Sequence, residues 1–328
     1  MEGSLVVNAE GGLNEGLARS VLVPSLMALG AGVVWSLGAL IARLADGADA
    51  WQYLLWRSFA ILVVIELLER RRRGRLSRVV RSGIRDAYTS GWTMIAASAC
   101  LAIASIGFIY ALKHTTAANA AFLSSLAPLI VAVLARVVLG ERLNGVTIAA
   151  VALGFCGLAF MVNGDLGIGN MKGNIAAVIT AFGFAGYAVC VRSDPEADWS
   201  PALPGSSSIA IPIVATVCLV QGNSLFPPAA DIALALVHGG GIIVIGMLTF
   251  NAATRHLPAV ASIVFAQTET VFVPVWIYLW FAEQPKNTTL IGGAIILCAV
   301  VGKALVDARL TKIGPASLVL ARRSRQGT

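Results

Sequence analysis

Charge is what this sequence has least of. Asp, Glu, Lys and Arg make up 12% of its 328 residues, where a water-soluble domain carries about 25%. With 57% hydrophobic residues and a mean hydropathy of +0.81, the chain has more apolar surface than a soluble fold can hide, which points to a polytopic membrane protein. Histidine is almost missing, with three residues, and the five cysteines (Cys100, Cys156, Cys190, Cys218, Cys298) lie in apolar runs without any CxxC spacing. They read as small packing residues, and no metal site or disulfide frame is expected from them. The sequence also lacks a GxxxxGK[ST] loop, HExxH, GxSxG and a paired-aspartate metal motif. An ATP-driven pump and the common hydrolases are therefore disfavoured, and no cofactor is expected.

Long apolar runs are what is abundant. Ten are read at roughly 21–42, 51–68, 91–112, 117–139, 146–162, 174–191, 205–220, 232–253, 259–281 and 288–306. About 20 residues rising ~1.5 Å each cross the hydrocarbon core as a helix. Lipid offers the backbone no hydrogen-bond partners, so only helices or closed barrels span it, and barrel strands would alternate over about ten residues. The runs predict an all-α polytopic membrane protein with ten transmembrane helices.

The net charge of +7 is concentrated in ERRRRGRLSRVVRSGIR (69–85) and in a basic tail. Neither segment has the aromatic interleaving of a nucleic-acid surface, and no nucleic-acid partner is expected. With both termini cytoplasmic, 18 of the 24 Lys and Arg lie at the inner side and four (Arg43, Lys113, Lys172, Lys286) at the outer, as the positive-inside rule requires. Arg70, Arg71, Arg72 and Arg73 are then placed to meet anionic lipid headgroups.

An internal repeat organises the runs. A shift of 142 lays Lys113-His114 on Arg255-His256 and Gly140-Glu141 on Ala282-Glu283, with eight identities over the 44 positions of 113–156. A shift of 149 sets Arg43 on Arg192. Five spans per half is an odd number, so the second half enters the membrane upside down, the plan of many secondary transporters. The organisation is a cytoplasmic tail (1–20), a first five-helix repeat (21–162), an inverted second (174–306) and a basic cytoplasmic tail (307–328). A monomer is expected, since the two halves already complete the repeat pair.

The stretch FIYALKHTTAANAAFLSSLAPLIVAVLARVVLGERLNGVTIAAVALGFCGLAFMV (108–162) resembles the EamA-like branch of the drug/metabolite transporter superfamily. The likeness rests on a helix ending near Tyr110-Ala111-Leu112, a small-residue helix with Pro128, then Gly140-Glu141-Arg142 and a Gly-containing helix. Val34-Trp35-Ser36 resembles the family's aromatic-small signature, and Arg57 matches an arginine common in the second span. In the second half the expected Pro falls on Thr270, with Pro274 four residues later. The resemblance implies two inverted five-helix halves around a central cavity, and alternating access without ATP. It also implies a small organic substrate, amino-acid-like or drug-like, and export or import across a bacterial plasma (inner) membrane.

Two charges stand out within the spans. Arg57 lies six residues past Trp51, about 9 Å into its helix. It either snorkels to the interface or meets an anion or carboxylate in the cavity, for which a guanidinium fork is suited. Glu269 lies ten residues past Ala259, about 15 Å in, half of a ~30 Å core. An idle carboxylate there costs about 2.5–3.5 kcal/mol. It is read either as a packing partner of Arg57 or as the group that binds a substrate cation or takes up the coupling proton. Gln267 and Thr270 flank it as further polar candidates, and Trp35 and Tyr110 are candidate lining aromatics. Glu141, Glu283, His114 and His256 sit at span ends and read as caps or interfacial charges. Gly239-Gly240-Gly241 reads as a close helix contact or a flexible point. A transporter leads these readings, with an intramembrane enzyme and a solute channel as alternatives.

Overall fold

The computed structural model describes the backbone of residues 2–73, 87–140, 145–164, 171–194, 196–254 and 259–325, but not the side chains of 2–22, 69–70, 72–73, 161–164, 251, 254, 259–267 and 307–325. Ten helices run through these residues: α1 (Glu2–Leu44), α2 (Ala50–Arg73), α3 (Trp92–His114), α4 (Ala117–Ser124 and Ala127–Val138), α5 (Gly145–Gly164), α6 (Met171–Ser193), α7 (Ala202–Val220), α8 (Ala229–Thr254, of which Val237–Ile243 is π-helical), α9 (Ala259–Phe281) and α10 (Asn287–Arg325). Eight contain a stretch long and apolar enough to cross a membrane, and shorter apolar stretches, Gly145–Phe160 and Thr268–Phe281, belong to α5 and α9. The chain is an all-α membrane protein, with these ten long helices among the described residues.

Helices α1 and α10 extend beyond the apolar runs into the expected tails, and within the runs two elements differ from a plain reading. The run 117–139 predicts one helix, but α4 breaks at Ser125-Leu126. Pro128 opens its second piece, where it lacks an N–H and its ring would clash with the carbonyl four residues back. The Ser124 and Ser125 hydroxyls donate to the carbonyls of Ala120 and Phe122, both at 2.6 Å, and so cover acceptors near the break. In α9 the helix runs unbroken through Pro274. The run 232–253 starts three residues earlier, at Ala229, and widens into the π turn Val237–Ile243, which contains His238 and the three glycines. No hydropathy pattern announces a π turn, because the extra residue leaves the apolar run intact.

The helix contacts carry the symmetry of the repeat. Helix α1 packs on α8 and α9, and its counterpart α6 packs on α3 and α4; α2 packs on α7, and α5 on α10. Followed round, these contacts link eight helices into a closed ring in the order α1, α9, α4, α6, α3, α7, α2, α8, with α5 and α10 paired outside it. Each of these ring junctions joins a helix of one repeat to a helix of the other, so the core forms from both halves together. One buried cluster draws on α1 to α10, with Tyr53, Leu54, Ile109, Leu112, Val273 and Ile296 at its centre. Glycines allow the closest approaches. A Cβ on Gly157 of α5 would lie 2.7 Å from the Gly292 carbonyl of α10, the small-residue contact by which helices associate in lipid. The turns after α4 and α9 repeat as well, since Gly140 (φ 71°) and Ala282 (φ 51°) occupy repeat-related positions in the left-handed region.

Candidate functional site

Helix α2 carries Tyr53 and Arg57 one turn apart, hence on one face. Both are buried. The Arg57 guanidinium reaches to α3, where Nη2 donates to Ser105 Oγ at 2.7 Å. Its Nε has no hydrogen-bond partner. Helices α2 and α3, which flank α7 in the ring, also touch each other, and this side chain is buried between them. A buried guanidinium held only by a neutral hydroxyl costs several kcal/mol unless an anion approaches it.

The π turn of α8 grips the same stretch of α2. Tyr53 Oη and His238 Nδ1 share a hydrogen bond of 2.7 Å. The next residue, Gly239, lies so close to the Arg57 carbonyl that a Cβ there would collide with it, and a Cβ on Gly38 of α1 would collide with His238 Nε2. One dipeptide of α8 thus touches α1, the Tyr53 side chain and the Arg57 backbone. Asp231, buried in the first turn of α8, completes the polar set. Its charge acts on Tyr53 and Lys113.

Glu269 is half-buried on α9, beside the buried Thr270. Its charge and that of Arg57 act on each other, yet no contact ion pair joins them among the described residues. The contact Arg57 makes is with Ser105, and not with Glu269. Two turns along α9 from Glu269, Trp276 Nε1 donates to Ser36 Oγ of α1 at 2.8 Å. That bond turns the Glu269 face of α9 towards α1.

The other sequence candidates divide between the interior and the end carrying loops 45–49, 115–116 and 282–286, the end predicted to face outward. Trp35 packs against Phe250 with ring centroids 5.3 Å apart, and its Nε1 lies 3.5 Å from the Ile243 carbonyl at the close of the π turn. Tyr110 belongs to the outer end, stacked on His114 at 3.9 Å and packed on Trp51 at 5.5 Å. There Lys113 Nζ donates to the carbonyls of Ala45 and Ala48 and lies 5.5 Å from the centre of the Tyr53 ring. Glu283 caps α4 across the repeat boundary, accepting from the Ala117 N–H at 3.2 Å. The Gln267 side chain, Glu141 and His256 lie outside the described residues, as do the side chains of Arg70, Arg72 and Arg73; Arg71 is exposed.

Tyr53, Ser105, Asp231 and His238 did not stand out in the sequence. For His238 a signal existed: it is one of three histidines and lies inside an apolar run, where an ionisable side chain is presumed functional. Among the described residues no cluster of His, Cys, Asp and Glu has the form of a metal site.

No curated protein matches this chain. A crystal structure of a protein 19% identical to it superposes with a TM-score of 0.60, over 88% of this chain and 99% of the other, which shows a shared fold. Residues 23–163 and 171–303 each match the EamA-like transporter family. The two matches cover most of the chain, and it belongs to the EamA-like transporter family.

Proposed function

We propose that this membrane protein is a secondary active transporter moving a small organic solute by alternating access, and that the solute carries an anionic end and a cationic group, as an amino acid does. Arg57 receives the anionic end. Glu269 binds the cationic group or exchanges the coupling proton, and Thr270, Gln267 and Trp35 complete the chamber, with Tyr110 towards its mouth. One observation carries the reading: Arg57 is buried between α2 and α3 with Ser105 as its contact, an open Nε, and a carboxylate that acts on it without touching it. A planar fork so placed is pre-organised for a carboxylate. The protein is placed in a bacterial inner membrane as a monomer, both termini cytoplasmic, with the arginine segment after α2 against anionic lipid.

Counterflow in proteoliposomes tests this, with pooled labelled amino acids, nucleosides and organic cations as probes. Saturable exchange of an amino-acid pool is expected. Glu269→Gln should insert normally and lose at least tenfold in exchange, and Arg57→Lys, which keeps the charge without the fork, should raise the half-saturation concentration by about tenfold. Wild-type exchange in both variants would reject these roles. Non-saturating flux would indicate a channel instead.

A further inference from the structure

We propose that Arg43, Glu283 and a buried amide cluster around Asn119 form a latch that holds the outer end of the ring shut and makes the outer-closed conformation the resting one. The inference rests on the alternating-access reading and adds which end is closed at rest, and by which residues.

The latch spans both repeats. Arg43, at the end of α1, forms an ion pair with Glu283 of the α9–α10 loop at 3.7 Å and donates to the Thr115 carbonyl between α3 and α4. Glu283 also accepts from the first N–H of α4 at 3.2 Å, where the helix dipole favours a negative charge. The residue before it, Ala282, takes a left-handed φ of 51°, which a side chain adopts only when its surroundings impose it. That strained turn aims Glu283 at α4.

Beneath this pair lies the amide cluster. Thr289 of α10 donates to Asn119 Oδ1 at 2.8 Å, and Thr115 donates to Asn174 Oδ1 of α6 at 2.7 Å. Asn119 Nδ2 donates to the same Asn174 oxygen at 3.3 Å. All four residues are buried, and hydrogen bonds among buried amides are costly to leave unmade. Opening this end would pull α4 from α10 and expose each of them.

The repeat allows a comparison with the opposite end. Arg43 and Glu283 have counterparts in Arg192 and Glu141, so an ion pair can form at either end. Thr115 and Asn119 fall on Leu257 and Ala261, which have no polar side-chain atoms. The amide cluster can be built at one end only, and that asymmetry biases an otherwise symmetric pair of states towards closure of the outer end.

The test reads accessibility and needs no substrate. In the full chain with its five cysteines replaced, Ala121→Cys places a thiol one turn below Ala117 on the same face. A membrane-impermeant thiol reagent is then applied in turn to each side of sealed vesicles. The parent should label slowly. Glu283→Gln and Thr289→Val should each speed labelling by threefold to about tenfold, the factor a lost hydrogen bond carries in a two-state equilibrium, and the double variant should exceed either. A second reporter, Ala181→Cys in the buried face of α6, must stay protected, which separates release of the latch from unfolding. Unchanged Ala121→Cys labelling in both variants, or equal gains at both reporters, would overturn the proposal. Faster labelling without counterflow of any probe would keep the latch and reject the transport reading, and the side from which the reagent acts reports the orientation of the chain.

Discussion

At Gly239 the absence of a side chain decides where a charge can be. The Arg57 carbonyl occupies the place a Cβ would take, and backbone cannot move aside as a flexible side chain can. Gly239→Ala should force α8 off α2, break the Tyr53–His238 bond and cost roughly 2 kcal/mol or more. Gly241, two residues on, has nothing within 4 Å of its missing Cβ, and Gly241→Ala should be tolerated. Thermal midpoints of the two variants in detergent compare them; equal midpoints would mean that the close approach at Gly239 is not essential. At this scale the sequence is legible where a residue contradicts its surroundings. Arg57 and Glu269 are visible because a charge deep in an apolar run is costly whatever the fold. Ser105 and Tyr53 are not, since serine and tyrosine are ordinary in membrane helices and only the partner on another helix distinguishes them.

At the scale of the element, turn chemistry separates the two halves. The first repeat ends its fourth helix with Gly140 at φ 71°, while the second uses Ala282 at φ 51° for the same turn. Ala282→Gly should relieve about 0.5–1 kcal/mol of left-handed strain and raise the thermal midpoint, while loosening the aim of Glu283. A lowered midpoint would mean that the alanine side chain contributes packing that outweighs the strain. The turns were legible as repeat-related positions, and so were the ends of most helices, because apolar length and charged flanks mark them. The break in α4 and the π turn in α8 were not. Pro128 permits either a kink or a break, and the choice was made by Ser124 and Ser125, whose hydroxyls cover carbonyls beside it. A π turn depends on packing against α1 and α2, which are remote in sequence.

For the whole molecule, an odd number of helices per half predicts that the halves enter the membrane in opposite senses, and the arginine segment after α2 predicts which end faces the cytoplasm. Single cysteines introduced in 69–90 and in the tail after 307 should react with an impermeant thiol reagent only after the inner face is exposed. Those in 44–50 and 163–173 should react from outside intact cells. Labelling at position 78 from outside would invert or break the proposed topology. The number of helices and their repeat could be read from the sequence, since both follow from run length and self-similarity. The ring could not. It depends on which helices touch, and almost every strong contact joins helices of different halves.

That interlocking has a consequence in time. Ser36 of α1 receives its bond from Trp276, which is 240 residues later in the chain. At about 5–20 residues per second of synthesis, α1 waits roughly 10–50 seconds in the bilayer before that partner exists. Through that interval the face of α1 that will meet α8 and α9 lies against lipid or against the insertion machinery. The Ser36 hydroxyl is satisfied meanwhile, donating back to the Val33 carbonyl of its own helix at 2.6 Å, a bond that needs no later helix to form.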